Sequence, residues 1–283
     1  MKQRTWLFIL IAPPALWLVL LFVIPLVTMV LFTFRAGSFG AEREIFTLAN
    51  YQEYFSNPSY QRMLWTSTLI ALVVSVFSMI LAYPLAYFLV FRAGALRFTF
   101  LLMVIVPAWI SLLLRVFAWK LILGSNGLLN SLLLSLGLIA EATPILLYSQ
   151  AAVMTALVYV YVPFIALPIF AALQRIDRSL LEAAADLGSS FWPTFFRVVL
   201  PLSLPGVLAG FFLVFIPTLG EYVTPLLVGG SQSMMYGNLI YNQFAKALNW
   251  PLGSLMSVVM LGMTLALILV SGRVMRINEW VKH

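Results

Sequence analysis

"EAAADLGSSFWPTFFRVVLPLSLPGVLAG", residues 182–210, begins like soluble protein and ends like membrane helix. Glu182 and Asp186 stand among alanines, and a glycine and two serines follow. Upstream, Ser179 lies three residues before Glu182, the spacing of a capping box that satisfies the first free N–H groups of a helix. The acids fall toward the positive end of that helix. Gly188 suits the left-handed residue that closes a helix. Ser189 or Ser190 is placed to cap a second helix with Pro193 in its first turn. Phe195, Phe196, Val199 and Leu200 give the second helix an apolar face. Pro201 is expected to end it, and Pro205-Gly206 to open a spanning segment. The stretch therefore predicts a helix–turn–helix elbow hinged at Gly188, with small residues at its nose and apolar anchors behind. The competing reading is an ordinary loop that happens to be helical.

The rest of the chain sets the context. Of 283 residues, 63% are hydrophobic and 9% charged, where a soluble domain carries about a quarter charged residues. Mean hydropathy is +1.04. These values place the chain in the membrane class, with a lipid bilayer as its surroundings. A spanning helix needs about 20 residues, so the length accommodates about five to seven. The net charge of +7 reads as topology determinants at the lipid surface, not as a nucleic-acid footprint. There is no cysteine, hence no disulfide framework and no thiolate metal site. The single histidine, His283, reads as a tail residue. No metal and no catalytic residue is expected.

Six apolar blocks follow along the chain: about Trp6–Phe34, Leu64–Phe91, Phe98–Leu123, Ile145–Leu173, Leu202–Val228 and Pro251–Gly272. The first is too long for a signal-peptide core and is read as an uncleaved spanning helix. "FTLANYQEYFSNPSY" (46–60) reads as a short amphipathic piece closed by an Asn-Pro turn. The Leu-rich centre of "GSNGLLNSLLLSLGLIAEATP" (124–144) is too short to span and reads as interfacial or re-entrant. Lys2, Arg4, Arg92, Arg97, Arg175, Arg178, Arg197, Arg273, Arg276 and Lys282 fall on one side, which the positive-inside rule makes cytoplasmic. Arg35, Arg43, Arg62 and Lys246 on the other side are diluted by Glu42, Glu44, Glu53 and Glu141. Both termini and the elbow are then cytoplasmic.

The elbow resembles the EAA motif of ATP-binding-cassette importer permeases: Glu-Ala-Ala, three residues, Gly, nine residues, Ile, one residue, Leu-Pro. Here Glu182-Ala183-Ala184 leads to Gly188, then to Val198, Val199 and Leu200-Pro201, with Val for Ile as the one departure. "VPAWISLLLRVFAWKLIL", "GLLNSLLLSLGLI", "YVYVPFIALPIFAALQRID", "LVFIPTLGEYVTPLLVGG" and "NWPLG" resemble the corresponding stretches of spermidine/putrescine-type permeases, in the same order. The resemblance implies an all-α integral membrane protein of about six helices. It also implies a single permease domain over residues 1–283, with the coupling loop at about 174–201, in a bacterial inner membrane. It implies partners: a cytoplasmic ATPase dimer docking on the elbow through Glu182, Ala183, Ala184, Gly188, Leu200 and Pro201, a second permease subunit as a heterodimer, and an extracytoplasmic substrate-binding protein. The chain has no Gly-x-x-x-x-Gly-Lys-Ser/Thr loop, so it holds no cofactor of its own, and ATP-Mg belongs on the ATPase.

Ionisable residues inside spanning segments are functional candidates. Glu221 lies in "PTLGEYVTP" among Pro217, Gly220 and Pro225, which predict an irregular helix of the kind tolerated only inside protein or against a cavity. A carboxylate there suits a polyamine ammonium, and Tyr222 offers an aromatic face to a cation. The alternative is that Glu221 pairs with a cation or caps the break. Arg115 reads as structural, pairing with an acid such as Glu221 or with carbonyls at a helix break, while Lys120 snorkels to the surface. Trp109, after a Val-Pro kink, reads either as a stacking or gating residue on the substrate path or as an interface tryptophan. "GVLAG" (206–210) carries the small-xxx-small spacing of close helix packing.

The leading expectation is half of the translocation path of an ATP-driven importer for a polyamine. The alternatives are an ion- or proton-coupled carrier, which would want more membrane acids, and the same importer class carrying iron(III), sulfate or opine-like cargo. A membrane enzyme would need a catalytic cluster that this composition does not supply.

Overall fold

A computed structural model describes residues 2–143 and 147–280, with side chains described from residue 10 to residue 273. His283, Lys282 and the predicted start of the fourth block at Ile145 lie outside the described residues. The described chain is helical, without strands. Six helical segments are long and apolar enough to cross a membrane: Leu10–Phe32, Pro58–Phe91, Leu112–Ser135, Gln150–Leu173, Phe191–Leu219 and Trp250–Arg273. The described residues gather into two compact units, residues 1–62 with 239–283, and residues 63–238.

In the first unit, α1 (Lys2–Leu18) runs through a π turn (Val19–Val23) into α2 (Ile24–Phe32). Pro13, Pro14 and Pro25 are carried within this helical run. The polar segment after it is knit by side chains. Buried Asn50, on α3 (Ala49–Ser56), donates to the carbonyls of Thr33 at 3.0 Å and Arg35 at 2.8 Å. Arg35 stacks over Phe46 at 4.1 Å. Ser38 Oγ donates to the Leu248 carbonyl at 2.6 Å and accepts from the N–H of Trp250, which opens the last helix described, Trp250–Trp280. The expected short helix and Asn-Pro turn are both present. Pro58 then starts α4 (Pro58–Phe91) six residues before the predicted block, because proline at a first helical position surrenders only an N–H that has no partner anyway.

The second unit holds the principal apolar core. After α4, the predicted third block is not one helix. It divides into α5 (Arg97–Ile105), a 3-10 turn (Val106–Trp109) and α6 (Leu112–Leu123), with Ile110 extended between them. Pro107 cannot donate into an α-helical ladder, so the helix gives way there. The Leu-rich connector forms α7 (Leu128–Ser135), tied down by buried Asn130, which donates to the carbonyls of Gly124 and Thr143. α8 (Gln150–Leu173) packs lengthwise on α11 (Leu200–Leu219). A Cβ at Gly206 would collide with the Ala172 side chain and the Pro168 carbonyl, and one at Gly210 would press on Ile165. The small residues of 206–210 thus let two helix backbones approach closely, as their spacing predicts.

Candidate functional site

The elbow begins where α8 ends. α9 (Arg178–Asp186) is capped by Asp177, whose Oδ1 accepts from the Ser179 N–H at 3.0 Å. The predicted capping box of Ser179 and Glu182 does not form, because Ser179 already lies inside the helix. An anionic cap at a helix N-terminus is favoured by the dipole as well as the hydrogen bond. The Ser179 backbone N–H holds the Asp177 carboxyl below its ordinary range.

The turn at the nose is a Schellman motif. Gly188 has φ +74°, its N–H bonds the Ala185 carbonyl at 2.8 Å, and the Ser189 N–H bonds the Ala184 carbonyl at 2.9 Å. Nothing stands within 4 Å of where a Gly188 Cβ would sit. Glu182, Ala183 and Gly188 are exposed, and Ala184, Leu200 and Pro201 are half-buried. Leu187 is 88% exposed at the tip, and the sequence reading passed over it. Its signal was a large apolar residue set between Asp186 and the turn glycine.

Pro201 does not end the second helix. α10 (Phe191–Thr194), a π turn (Phe195–Val199) and α11 form one continuous helix, Phe191–Leu219. The Leu200 N–H reaches back to the Phe195 carbonyl, a five-residue step. Widening the helix just before Pro201 accommodates a ring that would otherwise press on the carbonyl four residues back. Neither Ser189 nor Ser190 makes the predicted side-chain cap: Ser190 sits at the cap position without that bond, and Ser189 Oγ accepts from Thr194. The elbow is held from behind by aromatic rings. Phe195 meets Tyr83 of α4 edge-on at 5.4 Å, Phe191 meets Tyr87 at 5.8 Å, and the Tyr83 hydroxyl shares a hydrogen bond of 2.8 Å with Ser203.

The predicted fifth block stops at Leu219, and Gly220–Tyr222 break it. Glu221 is 7% exposed. Its Oε1 accepts from the N–H groups of Val223 at 2.9 Å and Thr224 at 3.1 Å, so the carboxylate caps the helical turn that follows. Asn238 donates to the Tyr222 carbonyl at 2.8 Å, and a Cβ at Gly237 would strike the carbonyls of Gly220 and Glu221. Tyr222 is partly exposed next to the buried Glu221. Trp109 stands apart from both in sequence, 80% exposed at the α5–α6 break. Arg115 is buried. Its Nη1 donates to the Val160 carbonyl at 3.3 Å, its Nε has no partner, and it forms no ion pair with Glu221 among the described residues. Among the described residues no cluster of His, Cys, Asp and Glu could hold a metal.

Residues 75–281 match the family described as "Binding-protein-dependent transport system inner membrane component". The spermidine/putrescine transport system permease protein PotB of Haemophilus influenzae is 36% identical over 244 residues, covering 86% of this chain and 84% of that protein. The inner membrane ABC transporter permease protein YdcU of Escherichia coli is 33% identical over 267 residues, covering 89% and 84%. Among solved structures, a chain of the bacterial alginate ABC transporter in complex with an alginate-pentasaccharide-bound periplasmic protein superposes with a TM-score of 0.74 at 15% identity, over 95% of this chain and 93% of that one. An exposed elbow, spanning helices and these matches agree: the chain belongs to the family of binding-protein-dependent transport system inner membrane components, the permease subunits of ATP-binding-cassette importers.

Proposed function

We propose that the chain is a polyamine permease: one half of a translocation path through which putrescine or spermidine, delivered by an extracytoplasmic binding protein, enters the cytoplasm. The substrate class is supported by 36% identity to a spermidine/putrescine permease over 86% of the chain. The observation that carries the coupling mechanism is the elbow at 174–201, a small-residue nose closed at Gly188 and backed by the rings of Tyr83 and Tyr87. A cytoplasmic ATPase dimer binds MgATP and grips this nose through Glu182, Ala183, Ala184 and Gly188. Its closure is carried through Leu200 and Pro201 into α11 and, through the aromatic cluster, into α4. Both termini are then cytoplasmic, as the distribution of Lys and Arg supports.

The path lies between this chain and a second permease subunit of different sequence. Glu221, with Tyr222 beside it and Trp109 at the α5–α6 break, contributes this chain's side. A bound carboxylate attracts an ammonium and an aromatic face stabilises it further. The test is uptake of labelled putrescine and spermidine in cells with and without the gene and the genes of its partners. Uptake that depends on the gene and on the ATPase is the expected result; gene-independent polyamine uptake alongside gene-dependent uptake of another solute would overturn the substrate.

A further inference from the structure

Arg115, beside the break between α5 and α6, has no role in the path as proposed. Pro107 from the break shares a cavity of about 510 Å³ with Arg115, Trp119, Thr155, Tyr159 and Pro163. Val160, whose carbonyl receives Arg115, lies ten residues along α8 from Gln150. That is about 15 Å at 1.5 Å per residue, half of a hydrocarbon core about 30 Å thick. The cavity therefore sits near the middle of the bilayer.

Two independent observations say that lipid does not cover it. Non-helical backbone at that depth is tolerated only against protein or a water-filled cavity, and Pro107, Trp109 and Ile110 are all exposed on this chain. Arg115 is 9% exposed, with one hydrogen bond of 3.3 Å and a buried Nε that has no partner. A charge so far from water is tolerated when it is paired and hydrogen-bonded. Nothing in this chain supplies the pair among the described residues. The walls are otherwise mainly apolar and aromatic, with Trp119 edge-on to Tyr159 at 5.7 Å, which suits a protein side chain better than a hydrated solute.

We infer that Arg115 receives a carboxylate carried on a membrane segment of the second permease subunit, and that the α5–α6 break is this chain's seam with it. A guanidinium lining this cavity makes charge-assisted hydrogen bonds to a carboxylate that enters it. The proposal rests on the importer assembly described above, not on which solute it carries.

The experiment uses the whole importer, this chain with its second permease and ATPase, reconstituted in lipid nanodiscs without any cargo. A photo-crosslinking residue in place of Thr155, at the cavity rim, is expected to capture the second permease; capture of lipid alone overturns the seam. Arg115→Met is expected to lower retention of the second permease at least tenfold on purification, with Arg115→Lys in between. The isolated Arg115→Met chain should melt no lower than the parent, since the change removes an unpaired buried charge. Full retention in Arg115→Met, with or without a change in solute preference, overturns the pairing. Failure of polyamine uptake leaves these readouts intact and speaks only to the substrate.

Discussion

At Gly188 a single residue sets both the shape and the accessibility of the elbow's nose. Its φ of +74° costs an L-residue about 1–2 kcal/mol, yet no atom stands in the way of a side chain. Gly188→Glu should therefore leave the chain inserted and folded while blocking the nose; ATPase co-purification and uptake should both fall, and Gly188→Asn, which tolerates the left-handed region, should retain most of both. Glu221 separates two roles in the same way. Glu221→Gln keeps an acceptor oxygen for the Val223 and Thr224 N–H groups, so melting of the purified subunit should barely change. Glu221→Ala loses the cap and should be destabilised by about 1–2 kcal/mol. Uptake of a cationic solute should drop in both variants; normal transport kinetics in Glu221→Gln would confine the carboxylate to capping.

Among the elements, the elbow proposed as a lever is backed by packed aromatic rings. Phe195 contacts Tyr83 and Tyr87 from within the π turn, and Tyr83 reaches Ser203 one turn into α11. Phe195→Ala should cost roughly 2 kcal/mol, less than a fully buried phenylalanine, because the side chain is half-buried. The more telling readout is coupling: ATP hydrolysis by the reconstituted importer should persist while solute movement per ATP falls. A ratio equal to the parent's would mean that α4 receives no push from the elbow. The helix starts and stops here were only partly legible. Gly188 was readable as a terminator because only its conformation matters, whereas Pro201 was misread as one. A proline ends a helix unless the turn before it widens, and the π turn at Phe195–Val199 depends on packing that pattern reading does not see. The cap at Asp177 was missed for a related reason: two short polar residues stood within reach, and the path of the chain leaving α8 chose between them.

For the whole molecule, the absence of cysteine makes topology directly measurable. Leu187→Cys at the exposed nose should react with an impermeant thiol reagent only in inside-out vesicles, and Glu53→Cys only in right-side-out ones. Labelling of Leu187→Cys from outside would invert the orientation. Hydropathy alone dictated a multi-span, all-helical membrane protein, since continuous apolar runs of about 20 residues cross lipid as helices whose backbone bonds are made within each segment. The spacing of Glu182, Gly188 and Leu200-Pro201 likewise carried the elbow, because capping and turn chemistry act over a few neighbouring residues. Folding in three dimensions settled the rest: that Glu221 spends an oxygen on its own backbone, that the third block breaks at Pro107, and that Arg115 sits beside α8 without an acid to pair with among the described residues. Those outcomes depend on which helix lies against which, a matter of contacts between residues far apart in the chain that no local periodicity encodes.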